Sequence, residues 1–365
     1  MFAYAGPAMT HAPNDAPEQS PDDDLALRRL YADFDAAGLA PLWTQREGLM
    51  PTAPTPAARA HRWPWSEVLP LAERAGELVP VGRGGERRAI AFANPGLGGQ
   101  PYATPTLWAA VQYLGPAEVA PSHRHSQNAF RFVLEGEGVW TVVDGDPIAM
   151  RRGDLLLTAG WSWHEHHNST DTPMVWLDGL DMHMVKLFEA SFREGSGSDE
   201  AREPDRPEGD SSARYGANML PVEVEYDRPT SPVFNYPYER SREALDAMKR
   251  RDQWSPWHGL KFKFVNPMNG EHAMPTIATF IQLLPGGFRS QGYRSTDSTV
   301  FVCVEGRGRT LVGDQRLDWG PRDVFVVPSG SRHTHEATEE SVLFSFSDRG
   351  VHEKLGFWRE QKFPD

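Results

Sequence analysis

The stretch "FRFVLEGEGVWTVVDGD", residues 130–146, has a second copy in the same chain, "VFVCVEGRGRTLVGDQR" at 300–316. Each runs through β-forming side chains to a Glu-Gly turn, continues as a second apolar strand and ends at an acidic-glycine turn. Working outward, "PTLWAAVQYLGP" (105–116) pairs with "PTIATFIQLLPG" (275–286), and "GDLLLTAGWSWHEH" (153–166) with "RDVFVVPSGSRHTH" (322–335). Three blocks recur in one order at an offset of about 170 residues, which chance similarity rarely preserves. The chain therefore holds two copies of one β-rich domain. Each copy offers about eight short strands broken by Gly, Pro and Asp, the pattern of a jelly-roll barrel.

The rest of the 365 residues is read around these copies. Residues 1–22 are rich in Pro, Ala and Asp and read as a disordered tail. Residues 23–100 form a helical extension leading into the first barrel. Its first helix carries Asp22 to Asp24 near its N-terminus, Leu27, Leu30, Tyr31 and Phe34 on one face, and Gly38 as C-cap. "WSEVLPLAERAGEL" predicts a second helix, capped by Ser66, with Pro70 near its first turn. The first barrel spans 101–190 and the second 231–365. Between them 191–230 is a linker, of which the charged stretch 194–214 reads as a mobile loop.

Bulk composition excludes several function classes. No apolar run reaches the length of about 18 residues that a membrane helix needs. The N-terminus lacks the basic region and apolar core of a signal peptide. A net charge of −13, from 50 acidic against 37 basic residues, disfavours a nucleic-acid partner. An anionic substrate must then be drawn in by a local basic cluster. The single cysteine, Cys303, rules out internal disulfides and fits a reducing cytoplasm.

"PSHRHSQNAFRFVLEGEG", residues 121–138, carries the chemistry. His123 and His125 are two apart, so on a strand both point to one face, and in a barrel that face is the interior. About 40 residues on come His164 and His166, again two apart. Three neutral imidazoles meeting at one point suit Fe, Cu, Ni or Zn. Arg131 lies an even step from His125; it is a carboxylate clamp or the partner of a nearby acid. Trp108 and Gln112 also share one strand face, as site residues or as core.

The arrangement resembles the cupin superfamily. Its first motif maps on Gly115, His123, His125 and Gly136, and its second on Gly153, His164 and Asn168. The glutamate usual after His-x-His is absent, with Ala129 near its place, and Ala159 and Trp161 replace the second motif's proline and glycine. Losing the glutamate leaves three neutral ligands and about three open metal positions. More narrowly, "TLWAAVQYLGPAEVAPSHRHSQNAFRFVLEGEGVWTVVDGD" and "MVWLDGLD" look like the bicupin ring-cleaving dioxygenases of hydroxybenzoates. That group holds the gentisate, salicylate and 1-hydroxy-2-naphthoate 1,2-dioxygenases, and gentisate is the first choice of substrate.

The resemblance implies one Fe(II) per chain on His123, His125 and His164, with dioxygen as co-substrate. It implies scission between the carboxyl-bearing carbon and its hydroxyl-bearing neighbour, giving maleylpyruvate from gentisate. Substrate contacts would be Trp108, Gln112, Arg131 and one of Arg87 and Arg88. His166 would move a proton, since imidazole titrates near neutrality, or serve as a hydrogen-bonder behind the metal. Asp178 would orient site groups or simply form a turn. The resemblance also implies a homotetramer. In the second copy Tyr293 and Ser295 stand opposite His123 and His125, and only His333 and His335 survive. That barrel is expected to hold no iron, and its two histidines read as packed or surface residues. A Zn or Mn cupin isomerase or hydrolase, and a non-catalytic metal-binding cupin, are the competing readings.

Overall fold

The computed structural model describes residues 21–80, 88–197, 204–251 and 254–364. Residues 1–20 of the expected tail lie outside them, and Pro21 opens a helix, α1 (Pro21–Ala36). With α2 (Arg46–Leu49) it belongs to a first unit that ends at Thr55. There Phe34 packs edge-on against Trp43, whose Nε1 donates to the Tyr31 hydroxyl. Leu27, Tyr31 and Phe34 are half-buried along one face, whereas Leu30 is exposed.

The second unit, Pro56–Asp365, contains both copies. It opens with β1 (His61–Trp63), α3 (Trp65–Leu78) and β2 (Ala89–Ala91). The first copy continues through β3 (Trp108–Leu114), β4 (Val119–His125), β5 (Ala129–Glu135), β6 (Val139–Val143), β7 (Asp146–Ala149), β8 (Leu155–Thr158), β9 (His164–Asn168) and β10 (Met174–Leu180). After α4 (Met182–Leu187) come β11 (Arg193–Gly195), α5 (Asp210–Tyr215), β12 (Asn235–Tyr236) and α6 (Tyr238–Lys249). The second copy runs through β13 (Leu260–Lys263), β14 (Ala278–Leu284), β15 (Gly292–Ser295), β16 (Thr299–Glu305), β17 (Gly308–Val312), β18 (Gln315–Trp319), β19 (Val324–Val327), β20 (His333–Ala337) and β21 (Ser341–Ser347). Helix α7 (Arg349–Lys354) and β22 (Glu360–Phe363) close the chain.

Each copy is a jelly roll of two antiparallel sheets. The first has β12-β8-β5-β10-β3-β2 facing β11-β4-β9-β6-β7, and the second β1-β19-β16-β21-β14-β13 facing β18-β17-β20-β15-β22. Among the described residues no ladder joins the two sheets of a copy into a closed barrel. The copies are interlocked. β1, placed by sequence in an extension to the first copy, pairs with β19 of the second, and β12 pairs with β8 of the first. The helix after each exchanged strand is capped across the molecule. Trp65 N–H donates to Asp323 Oδ1 (2.7 Å) and Tyr238 N–H to Asp154 Oδ1 (2.8 Å). A carboxylate at a helix N-terminus takes an orphan N–H and suits the dipole. Ser66 is therefore not the N-cap of α3; Pro64 occupies that position and makes no side-chain cap bond.

Strand alternation divides the residues of the larger first sheet. Phe130, Phe132, Leu155, Leu157, Val175 and Leu177 face the second copy and join its Val300, Val302, Phe344 and Phe346 in one core. Phe132 stacks on Phe344 at 4.1 Å and Phe130 sets its edge against Phe346 at 4.8 Å. The opposite face lines the interior of the first copy. Its apolar end holds Leu114, Val133, Leu156 and Trp176. Within 191–230, read as a linker, β11 pairs with β4 and α5 buries Asp210 and Ser211; residues 198–203 of the expected mobile loop lie outside the described residues.

Candidate active site

β4 and β9 are neighbours, and their register sets His123 directly opposite His164. The ladder is irregular between Ala120 and His123, where Pro121 has no N–H to give, a fitting place for a bulge that re-aims side chains. Each of the three rings turns Nδ1 to a backbone carbonyl. His123 Nδ1 lies 3.3 Å from Pro121 O, His125 Nδ1 3.0 Å from Gln127 O, and His164 Nδ1 2.9 Å from Ser162 O. A carbonyl only accepts, so each Nδ1 carries the proton and Nε2 becomes the ligating nitrogen. The ligating atoms lie within 4.8 Å of one another, and no other such His, Cys, Asp or Glu group occurs among the described residues.

These rings fit a divalent metal. His164 Nε2 is buried without a hydrogen-bond partner, an orphan whose burial an ion would compensate. Burial holds the His164 pKa well below the usual imidazole range, helped by His123, Arg131 and His125, so the ring is a neutral donor. The turn that delivers β9 is unusual. Trp161, where the family motif has glycine, adopts φ +66°, a left-handed conformation that costs a non-glycine residue about 1 kcal/mol or more. Its ring is clamped by the Arg124 guanidinium (4.4 Å) and by Phe192 (4.5 Å). The second copy has Gly330 at the matching position, with φ +69°.

Arg131 and Asp178 are direct partners in the β5–β10 register and both are buried. Arg131 Nε lies 3.7 Å from Asp178 Oδ1, and its Nη1 donates to Thr158 Oγ1 (2.5 Å). Burial pulls the guanidinium pKa down and the Asp178 charge opposes this; a guanidinium in such a site stays cationic. Of the alternatives raised for Arg131, the pairing with an acid is present, and the guanidinium also lies close enough to His164 to disfavour charge on that ring. Gln112 sits opposite Trp176 and Trp108 opposite Leu180 in the β3–β10 ladder, on the same interior face. His166 Nδ1 meets Thr141 Oγ1 at 2.5 Å, and its ring lies 5.1 Å from that of Trp176. Because the Thr141 hydroxyl gives its proton to Glu165 O (3.2 Å), its oxygen accepts from Nδ1–H and leaves Nε2 as the basic atom.

Of the two arginines offered for a second substrate-anion contact, only Arg88 lies among the described residues. It is committed to Glu118, through Nη2 and through Nη1 at 2.8 Å, and Nη1 also donates to Val79 O. Its guanidinium stands over Tyr113, which alternation places on the opposite face of β3 from Gln112. The structure thus gives Arg88 a structural ion pair away from the three histidines; Arg87 lies outside the described residues. Three contributors escaped the reading of the sequence. Trp176 donates Nε1–H to Asp178 Oδ1 (3.0 Å), and its place two residues before Asp178 on one strand was the available signal. Thr141 and Thr158 had none, since their partners meet them only across strands. Asn168, read as a motif position, is structural: its Nδ2 donates to Gly115 O and to Thr172 O, both at 2.8 Å.

Residues 110–180 and 279–346 each match the cupin domain. The chain is 50% identical over 335 residues to gentisate 1,2 dioxygenase 1 of Aquipseudomonas alcaligenes, covering 92% of this chain and 96% of that one. It is 37% identical over 341 residues to the 5-aminosalicylate 1,2-dioxygenase of a Comamonas species, covering 92% and 90%. Among solved structures, the salicylate 1,2-dioxygenase of Pseudoaminobacter salicylatoxidans with gentisate superposes with a TM-score of 0.88 at 42% identity, over 96% of this chain and 97% of that one.

Proposed function

The chain belongs to the two-cupin family of gentisate and salicylate 1,2-dioxygenases, and from that premise we propose that it opens the aromatic ring of a hydroxybenzoate, gentisate before salicylate, between C1 and C2. The observation that carries the reading is the convergence of three Nε2-directed imidazoles with the buried Arg131 across one interior. Fe(II), when bound by His123, His125 and His164, supplies the electron transfer between ring and dioxygen that the cleavage requires.

The side chains of the chain do the rest. Arg131 binds the substrate carboxylate, its guanidinium held in place by Asp178 and Thr158. We take one of Arg87 and Arg88 as the second cationic contact; the pairing of Arg88 with Glu118 weighs against Arg88. Trp108 and Gln112 frame the ring from β3. His166, oriented by Thr141, takes the proton of a ring hydroxyl at Nε2. A purely structural metal site would need neither an interior arginine nor a poised base, which disfavours the binding-cupin reading. A cytoplasmic homotetramer fits the single thiol and the exposed Leu187, Phe188, Phe192, Met219 and Val222, apolar surface of the kind a subunit contact covers. Light scattering on the eluted protein tests the assembly.

The deciding experiment is anaerobic loading with Fe(II), then oxygen uptake with gentisate, salicylate and 1-hydroxy-2-naphthoate in parallel. Rapid uptake with gentisate, and a new near-ultraviolet band from the opened ring, is the expected result. Uptake with a mono-hydroxylated acid alone moves the substrate and keeps the site. No uptake with any of them, in protein shown to contain iron, sinks the reading.

A further inference from the structure

The second copy keeps a cavity where the first has its metal centre. It measures about 260 Å³ and is lined by His258, Lys261, Phe280, Tyr293, Phe301 and His333 among others. His333 and His335 are thus neither surface residues nor core filler. They hold the postures of His164 and His166, with Nδ1 of His333 against Ser331 O (3.3 Å) and Nδ1 of His335 against Thr310 Oγ1 (2.8 Å).

The chemistry around them has been exchanged. Phe301 and Ser345 are paired where the first copy pairs Arg131 and Asp178. Lys261 pairs with Gln282 where the first copy pairs Ala89 with Gln112. The second cavity lacks counterparts of Arg131 and of two of the three metal-site histidines, His123 and His125, and has gained an ammonium on the neighbouring strand. That ammonium lies 4.8 Å from the centre of the Phe280 ring and 5.7 Å from that of Phe301. Among the described residues it makes no ion pair within 4 Å. The other charges lining the space are mostly committed. Asp297 accepts from Trp358 Nε1 (3.1 Å), and Arg349 pairs with Glu353 (2.7 Å). Tyr293 donates its hydroxyl proton to Glu360 (3.0 Å). Lys263 adds a further positive charge at the rim.

A cation held over aromatic faces in an interior cavity, with its nearest lining carboxylate, Asp297, beyond ion-pair distance, is arranged for an anion with a flat apolar body. We propose that this cavity is a metal-free binding site for a small aromatic monocarboxylate, with Lys261 as the counter-ion of its carboxylate and Phe280, Phe301 and Tyr293 as walls for its ring. Burial pushes the Lys261 ammonium down to about 8, against the opposing pull of Asp297. An anion would offset that desolvation. The proposal is independent of the dioxygenase reading.

The test is anaerobic calorimetry of the iron-loaded full chain with benzoate, which lacks a hydroxyl and is not turned over, and with acetate as the non-aromatic control. Lys261→Met keeps the length of the side chain and removes its charge; Ser295→Met fills the cavity from β15 and decides the matter if the first variant does not fold. Expected are a benzoate-binding event that either variant weakens at least tenfold, acetate at least tenfold weaker than benzoate, and unchanged kcat and KM for oxygen uptake at the first centre. A benzoate stoichiometry and affinity that both variants leave wholly unchanged overturn the site. Acetate binding as tightly as benzoate overturns the aromatic assignment. Absence of oxygen uptake in the same preparation would strike the dioxygenase reading alone.

Discussion

At the scale of the residue, the proposed function assigns metal holding and substrate holding to different sheets of the first copy. The three histidines sit on one sheet and Arg131 on the sheet facing it, so the two functions should fail separately. Arg131→Met should leave iron content unchanged and lower kcat/KM about 10- to 100-fold, the loss of a charge-assisted hydrogen-bond pair, most of it in KM. Steady-state kinetics beside metal analysis checks this. His164→Ala should instead abolish stoichiometric iron, because two imidazoles leave the ion half-held. Thr141→Val removes the acceptor that fixes the tautomer of His166. It should lower kcat about tenfold and shift the acid limb of the kcat–pH profile, whereas a role in packing alone would leave that limb in place.

At the scale of the element, the Gly153–Asp154 turn is a joint between the first copy and α6. Gly153 has φ +85°, and a Cβ there would approach the Tyr238 ring to 2.6 Å. Gly153→Ala should therefore cost about 2 kcal/mol or more, read as a fall in denaturant midpoint. Asp154, which caps α6 through Tyr238 N–H, has its pKa raised by burial from 3.8 to about 6. A raised folded pKa means that the native state binds the proton more tightly than the unfolded chain. Stability contributed by protonated Asp154 is thus fully present below about pH 4 and is lost as pH rises through about 6. Unfolding free energies across that window should show this decline, on the order of 2 kcal/mol, and Asp154→Asn should flatten it.

At the scale of the whole molecule, the two copies form one cooperative body. Their shared core, the reciprocal strands β1 and β12, and the crossed caps at Trp65 and Tyr238 all run between them. Phe344→Ala, which empties the stack on Phe132, should cost about 3–5 kcal/mol and lower a single unfolding transition without splitting it in two. Residues 56–230 expressed alone should expose the Phe130 and Phe132 face and fail to give a cooperative melt by circular dichroism. Two independent transitions in the intact chain would contradict the interlocked architecture.

Much of this was legible in the chain. The repeat announced two β domains because strand alternation and Gly-Asp turns are local signals, and His-x-His announced a shared face because the period of a strand is two. The same parity put Trp108 and Gln112 on one face of their strand and Arg131 at an even step from His125. What the sequence by itself determined was therefore which side chains share a strand face, His123 with His125, His164 with His166 and Trp108 with Gln112, and that the second copy lacks the His-x-His pair. What only the tertiary structure decided was which faces meet. Strand exchange between the copies, the carboxylates of Asp154 and Asp323 as caps, the commitment of Arg88 to Glu118, and the gathering of Lys261 with His333 depend on residues up to 265 positions apart. No local periodicity records such pairings, because they are selected by the burial of whole faces.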